Sequence, residues 1–324
     1  MTSLSAPILI TGASGFLGSE ILRLALASGW KVRALVRSWE NEGKDVEIVC
    51  GDITDLDVVR RACENVSAVV HTAGLAHVFR PRKKDLARLL RVNENGTATV
   101  ARAAVELGVP KVVVTSSVSV YGVYTGSECD ETEPCHPQSY YAMSKLLAEQ
   151  RAMELMANSQ CSLGILRLAT IYGEGDRGNV SKLISALDKR RFIWPGDGLN
   201  RKSLIYKEDA ARACLRALED VNPGVNIFNV SAQPVTMREI VLAVCQALGR
   251  PVPHLVIPTA SLKAVTTIAR TLGDPGQLGR RLEKFIRDDV YSNAKFTNTF
   301  NFFPITPLID GISKEVRLQC GRSM

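Results

Sequence analysis

Ile8-Leu9-Ile10-Thr11-Gly12-Ala13-Ser14-Gly15-Phe16-Leu17-Gly18 decides the reading of this chain, because it runs from a short apolar segment through spaced glycines straight into an apolar helical stretch. Glycine spacing carries meaning in such a strand–turn–helix context. The glycines allow a tight turn and a close backbone approach, while the helix N-terminus offers N–H groups and partial positive charge to a pyrophosphate. The segment is read as a dinucleotide cradle made by Gly12, Ser14, Gly15, Phe16, Leu17 and Gly18.

Working outward, β-branched apolar runs alternate with helical periodicity through the first half. Ile8 to Ile10, Lys31 to Val36, Val46 to Val49, Ala68 to His71, Lys111 to Thr115 and Leu163 to Leu168 read as strands. Phe16 to Ser28, Asp55 to Glu64, Asp85 to Leu107 and Tyr140 to Ala157 read as helices. This order predicts an α/β protein with a Rossmann-type doubly wound parallel sheet over residues 1–172. Residues 173–324, rich in Gly, Pro and Asn punctuation, read mainly as a smaller substrate-binding region. That region is interleaved, because Asn226 to Val230 is one more strand and a segment near 205–245 returns to the sheet.

Composition excludes several classes. With 324 residues, 46% of them hydrophobic and 23% charged, the chain buries a sizeable core and is not disordered. The eight cysteines form no CxxC pair, which suits a reducing cytoplasm. Cys129, Cys135 and His136 are the one tempting metal cluster, and they lack a fourth ligand, so no metal is expected. No apolar run reaches the length of a membrane span, and the N-terminus lacks a basic leader, so neither a membrane nor secretion is expected. A net charge of +7 and the basic clusters Arg80-Pro81-Arg82-Lys83-Lys84, Lys189-Arg190-Arg191 and Arg280-Arg281 raise the question of nucleic acid. The clusters are short and free of interleaved aromatics, so solvated helix faces and attraction for an anionic substrate account for them.

The second strand ends in Arg37 rather than in an acidic residue, which favours NADP(H), with NAD(H) left open. Asp52 and Ile53 are placed beside the adenine, and Thr72, Ala73 and Gly74 leave room for the dinucleotide. His71 reads as a packed residue rather than a catalyst. Tyr141 and Lys145, four residues apart, share a helix face. A free phenol has a pKa of about 10, so its ionisation at neutral pH costs about 4 kcal/mol, a deficit that a nearby ammonium and an oxidised nicotinamide would offset.

With these motifs in their order the chain resembles the extended short-chain dehydrogenase/reductase family, in its group of nucleotide-sugar epimerases, dehydratases and 4-ketoreductases. The resemblance rests on Thr11 to Gly18, Gly51-Asp52, Asn93 to Thr97, Ser116-Ser117-Val118-Ser119-Val120-Tyr121-Gly122, Tyr141 to Lys145, Arg167 to Gly173 and Arg201 to Asp209. It implies Ser117, Tyr141 and Lys145 as catalytic residues, with Lys145 also holding the nicotinamide ribose. It further implies cofactor contacts at Asn93, Thr115 and Leu168, substrate contacts at Ser119, Asn179, Arg201, Lys202 and Arg287, and a homodimer through the helices near 85–107 and 140–157.

The activity so implied is hydride transfer at a sugar carbon, C4 above all, of a UDP- or dTDP-linked hexose, by 4-keto reduction or 4-epimerisation. Val118-Ser119 stands where the family's 4,6-dehydratases carry Asp-Glu, which argues against dehydration. Arg37 favours a reductase over an epimerase. Leu168 replaces the usual proline after Arg167. Two alternatives stand beside this reading: reduction of a hydrophobic carbonyl or oxidation of a hydroxyl compound of steroid or flavonoid kind, and dinucleotide sensing without turnover.

Overall fold

Short runs of β-branched and leucine side chains with no polar alternation form strands buried on both faces, the pattern of a parallel sheet covered by helices. In the computed structural model, which describes residues 6–39, 45–76, 83–124, 127–258, 260–261 and 286–321, these runs make one seven-stranded sheet. Its strands are β1 (Ile8–Thr11), β2 (Val32–Val36), β3 (Val46–Cys50), β4 (Ala68–His71), β5 (Lys111–Ser117), β6 (Ser162–Leu168) and β7 (Val225–Val230). All pairs are parallel, in the order β7-β6-β5-β4-β1-β2-β3. The side chains of Arg80 to Lys84 and of Arg280-Arg281 lie outside the described residues.

Each face of the sheet carries its own core. Apolar residues of α1 (Phe16–Ala27) and of the helix Lys207–Asp220 pack on one face with Ile8, Ile10 and Phe228. On the other face, α2 (Leu56–Cys63), α4 (Gly96–Glu106) and α5 (Tyr140–Met156) pack with Leu9, Val112 and Ile165. A third cluster gathers Trp194 with α6 (Asn179–Asp188), α8 (Met237–Leu248) and α10 (Leu308–Cys320), the helix Lys207–Asp220 being α7. Helix α9 (Ala294–Phe300) presses Phe296 and Phe300 onto Phe228 of β7. The strand order reverses between β1 and β4, and the crevice at their carboxyl ends is where such sheets bind ligands.

Two differences from the sequence reading bear on the site. β5 runs two residues further than expected, to Ser117, because Ser116 and Ser117 stay in register with Arg167 and Leu168 of β6. The helix expected over 85–107 is three pieces: α3 (Lys83–Leu89), a π-helical turn over Leu90–Asn95, and α4. The wide turn aims Asn93 inward, where it donates to Leu75 O (3.1 Å) and Ser144 Oγ (2.9 Å) and accepts from Leu75 N (2.7 Å). π turns commonly mark functional sites.

Helix α5 is fixed by a fully buried carboxylate. Glu149 accepts two bonds from Arg167 Nε, both at 3.2 Å, one from Nη2 at 2.7 Å, and one from Ser116 Oγ. The Arg167 guanidinium lies 4.8 Å from the centre of the Tyr121 ring, and Tyr121 donates to Asn229 Oδ1 at 2.7 Å. Breaking such a pair leaves an uncompensated buried charge, whereas replacing both partners does not. Arg167→Met is therefore expected to lower the unfolding free energy by about 3–5 kcal/mol, with much of the loss recovered in Arg167→Met/Glu149→Leu, as read by urea denaturation.

Candidate active site

At the β1 turn Gly12 adopts φ +72°, and a β-carbon there would lie 2.7 Å from Ala73 Cα. A β-carbon on Gly18 would lie 2.1 Å from Gly12 O, so α1 packs against the turn only with glycine at that position. Gly15 starts α1 with no side-chain cap, and the first turn holds no acidic residue. The opening amides of α1, at Phe16 and Leu17, are thus unclaimed by any capping side chain, as an anion site requires.

This turn forms one wall of a cavity of about 590 Å³. Of the expected cofactor residues, Gly12, Ser14, Gly15, Arg37, Asp52, Ile53, Thr72, Ala73 and Gly74 line it. Phe16, Leu17, Gly18, Asn93, Thr115 and Leu168 are not on its wall. Asn93 spends its amide on Leu75 and Ser144, so it shapes the loop after β4 rather than facing the cavity. Arg88 and Arg91 also line the cavity and were not anticipated. They stand near the π turn, whose wall position no periodicity could show.

Asp52 is held as a carboxylate below its usual range by bonds from Thr54 and by the Arg91 guanidinium at 2.9 Å. Arg37 is exposed and has no ion-pair partner among the described residues. Behind the wall, His71 bonds Thr11 Oγ1 through Nδ1 (2.7 Å) and Thr97 Oγ1 through Nε2 (3.0 Å). Thr97 gives its own proton to Asn93 O, so Nε2 is the donor and Nδ1 accepts from Thr11. Burial pushes the imidazole pKa down to about 3, and His71 is a neutral packing residue, as read from the sequence.

The other end of the cleft belongs to β5 and α5. Ser139 caps α5 by accepting from Ala142 N, which starts the helix just before Tyr141. Ser117 stands near enough to the Tyr141 phenol to oppose the rise that burial gives its pKa, and its Oγ accepts from Ser119 N at 3.2 Å. Ser116 faces the opposite way, into Glu149, so Ser117 is the hydroxyl that meets the phenol. Lys145 Nζ donates to Thr115 O at 2.8 Å, and a β-carbon on Gly74 would lie 3.5 Å from it. The ammonium therefore stands beside the residue that lines the dinucleotide cavity. Burial pushes its pKa down to about 8.

One sequence expectation needs correction here. Lys145 does not lower the Tyr141 pKa in this structure: burial raises it, and only the Ser117 hydrogen bond opposes that rise. The lysine's charge is directed at Thr115 O and the cleft, so without a nucleotide the phenol stays protonated.

On the substrate side the expected cations are mostly committed. Lys202 Nζ bonds Asp289 Oδ2 (2.9 Å) and Arg287 O (2.8 Å). Arg201 pairs with Asp288 at 3.3 Å. Arg287 holds Asp289 Oδ1 at 3.0 Å and donates to Gly122 O, which ties it to the 118–122 turn. Asn179 is exposed at the start of α6. Ser119 Oγ is buried without a hydrogen-bond partner among the described residues, two positions beyond Ser117. Cys129 is fully buried against Tyr121 and Tyr291, not arranged with Cys135 and His136 as a ligand set, and among the described residues no group of three or more His, Cys, Asp or Glu could hold a metal ion.

Known proteins resemble this chain in sequence and in fold. The sequence model of the NAD dependent epimerase/dehydratase family matches residues 8–231. The N-acetyl-alpha-D-glucosaminyl-diphospho-ditrans,octacis-undecaprenol 4-epimerase of Escherichia coli O157:H7 is 30% identical over 78% of this chain and 75% of its own length. The 2-alkyl-3-oxoalkanoate reductase of Stenotrophomonas maltophilia is 28% identical over 95% of this chain and 97% of its own. The structure of MoeE5 in complex with UDP-glucose and NAD superposes with a TM-score of 0.78 at 27% identity, covering 97% of this chain and 99% of that one.

Tyr141→Phe removes the proton but keeps the ring. It is expected to cut turnover by about 10²–10⁴-fold while leaving dinucleotide affinity, measured by nicotinamide fluorescence, nearly unchanged.

Proposed function

The chain belongs to the NAD-dependent epimerase/dehydratase family, and from that premise we propose that it transfers hydride at C4 of a nucleotide-linked hexose, reducing a 4-keto sugar in preference to epimerising one. The observation that carries this reading is Lys145, bonded to Thr115 O and set against Gly74 on the wall of the dinucleotide cavity, with Tyr141 one turn earlier on the same helix beside Ser117. The residues fit a dinucleotide: an uncapped helix N-terminus, a glycine turn that tolerates no β-carbon, and a cavity of about 590 Å³. When bound, the nicotinamide supplies the hydride.

The chain's own residues supply orientation and the proton. Ser117 hydrogen-bonds the substrate oxygen and fixes it beside Tyr141, which in reduction donates its phenolic proton to that oxygen. Lys145, charged below about pH 8 and set beside Gly74, would hold the nicotinamide ribose. Ser119 Oγ, buried and unpartnered among the described residues, takes a further sugar hydroxyl. Asn179, Arg201, Lys202 and Arg287 are assigned to the nucleotide-sugar side, where the three cations, held in place by Asp288 and Asp289, would share the diphosphate charge.

NADPH is the proposed cofactor. Arg37, Arg88 and Arg91 line the adenosine end of the cavity, and the one carboxylate among its described lining residues, Asp52, is already paired with Arg91. That surplus of guanidinium suits a 2′-phosphate. A homodimer through the helices near 85–107 and 140–157 is part of the same proposal. Among the described residues no helix is long and apolar enough to cross a membrane; a cytoplasmic setting is part of this proposal.

A second reading, reduction of a hydrophobic carbonyl compound, is favoured by the neutralisation of Lys202 by Asp289, which removes one cation from a diphosphate site. A panel of UDP- and dTDP-linked 4-keto hexoses against apolar ketones, followed by NADPH absorbance, separates the two. Stoichiometric NADPH oxidation with a nucleotide sugar supports the first reading, and turnover of apolar ketones alone overturns it. Arg37→Ala is expected to raise the KM for NADPH about tenfold or more while leaving that for NADH within about twofold. For reduction, kcat/KM is expected to fall as pH rises through about 8, where Lys145 loses its proton, and to be level below it.

A further inference from the structure

Helix α6 ends in Lys189-Arg190-Arg191, all exposed. Arg190 adopts φ +56°, the left-handed conformation that closes a helix, with Arg190 N bonded to Leu187 O and Arg191 N to Ala186 O. Glycine is the usual occupant of this position, and the chain uses it at the ends of α8 and α10, where Gly249 and Gly321 have φ +60° and +64°. At the end of α6 a charged side chain is kept against the backbone preference.

Directly after this cluster the chain projects an apolar ledge. Trp194–Pro195 pairs in parallel with Val256–Ile257, and Gly196 N bonds Ile257 O. Trp194 is buried and donates from its indole to Pro253 O at 2.8 Å, while Arg250 pairs with Asp188 at 3.0 Å, so the ledge is anchored on α6 and α8. Its outward side chains are Ile193 (41% exposed), Leu255 (63%), Val256 (50%), Ile257 (38%) and Leu199 (59%). Asp197 is the one acidic residue in the stretch 189–199, and 250–258 has none.

We propose that this face docks the protein on an anionic lipid surface, the aliphatic side chains entering the headgroup boundary and the three cations meeting lipid phosphates. Contiguous exposed aliphatic residues flanked by Lys and Arg are the pattern of a peripheral membrane contact. Trp194 is buried and Phe192 packs edge-on against it, so among the described residues the exposed part of the ledge is aliphatic apart from His254, which favours a lipid surface over base stacking. A symmetric contact between two copies would set like cations against one another. Leu199 lies two residues before Arg201 and three before Lys202, so docking brings the substrate side of the cleft near the bilayer. The proposal does not depend on the reaction assigned above.

Flotation of the full chain with phosphatidylcholine vesicles, with and without phosphatidylglycerol, tests it. Binding is expected only with the anionic lipid and weakens with added salt. Each charge removed at Lys189, Arg190 or Arg191 reduces binding about fivefold. Leu255→Ser/Val256→Ser reduces it without a change in charge. Arg190→Gly is expected to raise the thermal midpoint while weakening flotation, which separates the surface role from folding. Equal behaviour with both vesicle types, or a concentration-dependent dimer that Leu255→Ser/Val256→Ser disperses, overturns the proposal.

Discussion

One face of helix α5 sets the geometry on which the site depends. Tyr141, Lys145 and Glu149 recur at intervals of four, and they engage Ser117, Thr115 and Ser116, three successive residues at the end of β5. The helix is thus stitched to the strand at each turn, and its first two stitches, Tyr141 and Lys145, are the groups proposed to react. Glu149 makes the arrangement rigid because a buried carboxylate is costly unless every oxygen is satisfied, and Arg167 satisfies it from the neighbouring strand. The same guanidinium lies on Tyr121, which holds the 118–121 turn and so Ser119 next to Ser117.

The dinucleotide end is governed by close approach instead of charge. Gly18 lets α1 meet the Gly12 carbonyl, and Gly12 itself turns against Ala73. The two ends are joined through neutral hydrogen bonds: Thr11 to His71, His71 to Thr97, Thr97 to Asn93, and Asn93 to Ser144 on α5. A neutral imidazole with a fixed tautomer suits that position, since a charge there would face Lys145.

Much of this was legible in the sequence for a physical reason. A sheet covered on both faces needs uninterrupted apolar runs, so each central strand announced itself, and β4 has the bounds expected of it. The glycine turn was readable because its residue type follows from backbone approach. What escaped depended on partners distant in sequence. Lys202 looked like a free cation because Asp289 lies far along the chain, and Arg88 and Arg91 reach the cavity only because the helix widens into a π turn at Asn93. Glu149 carried a signal that went unused, namely its place four residues beyond Lys145 on the same face. The influence of Lys145 on the phenol was overestimated, because spacing along a helix fixes neighbourhood but not which acceptor an ammonium chooses.

The central claim is that hydride passes to a sugar carbon held by Ser117 beside the Tyr141 phenol. Its most direct test is to supply reduced cofactor deuterated at the transferring carbon, together with a nucleotide-linked 4-keto hexose, and to locate the label by mass spectrometry and NMR. The account predicts deuterium at C4 of the product hexose, with none transferred by the Tyr141→Phe protein. Label that stays in the cofactor while the sugar is converted, or transfer undiminished in Tyr141→Phe, would contradict it.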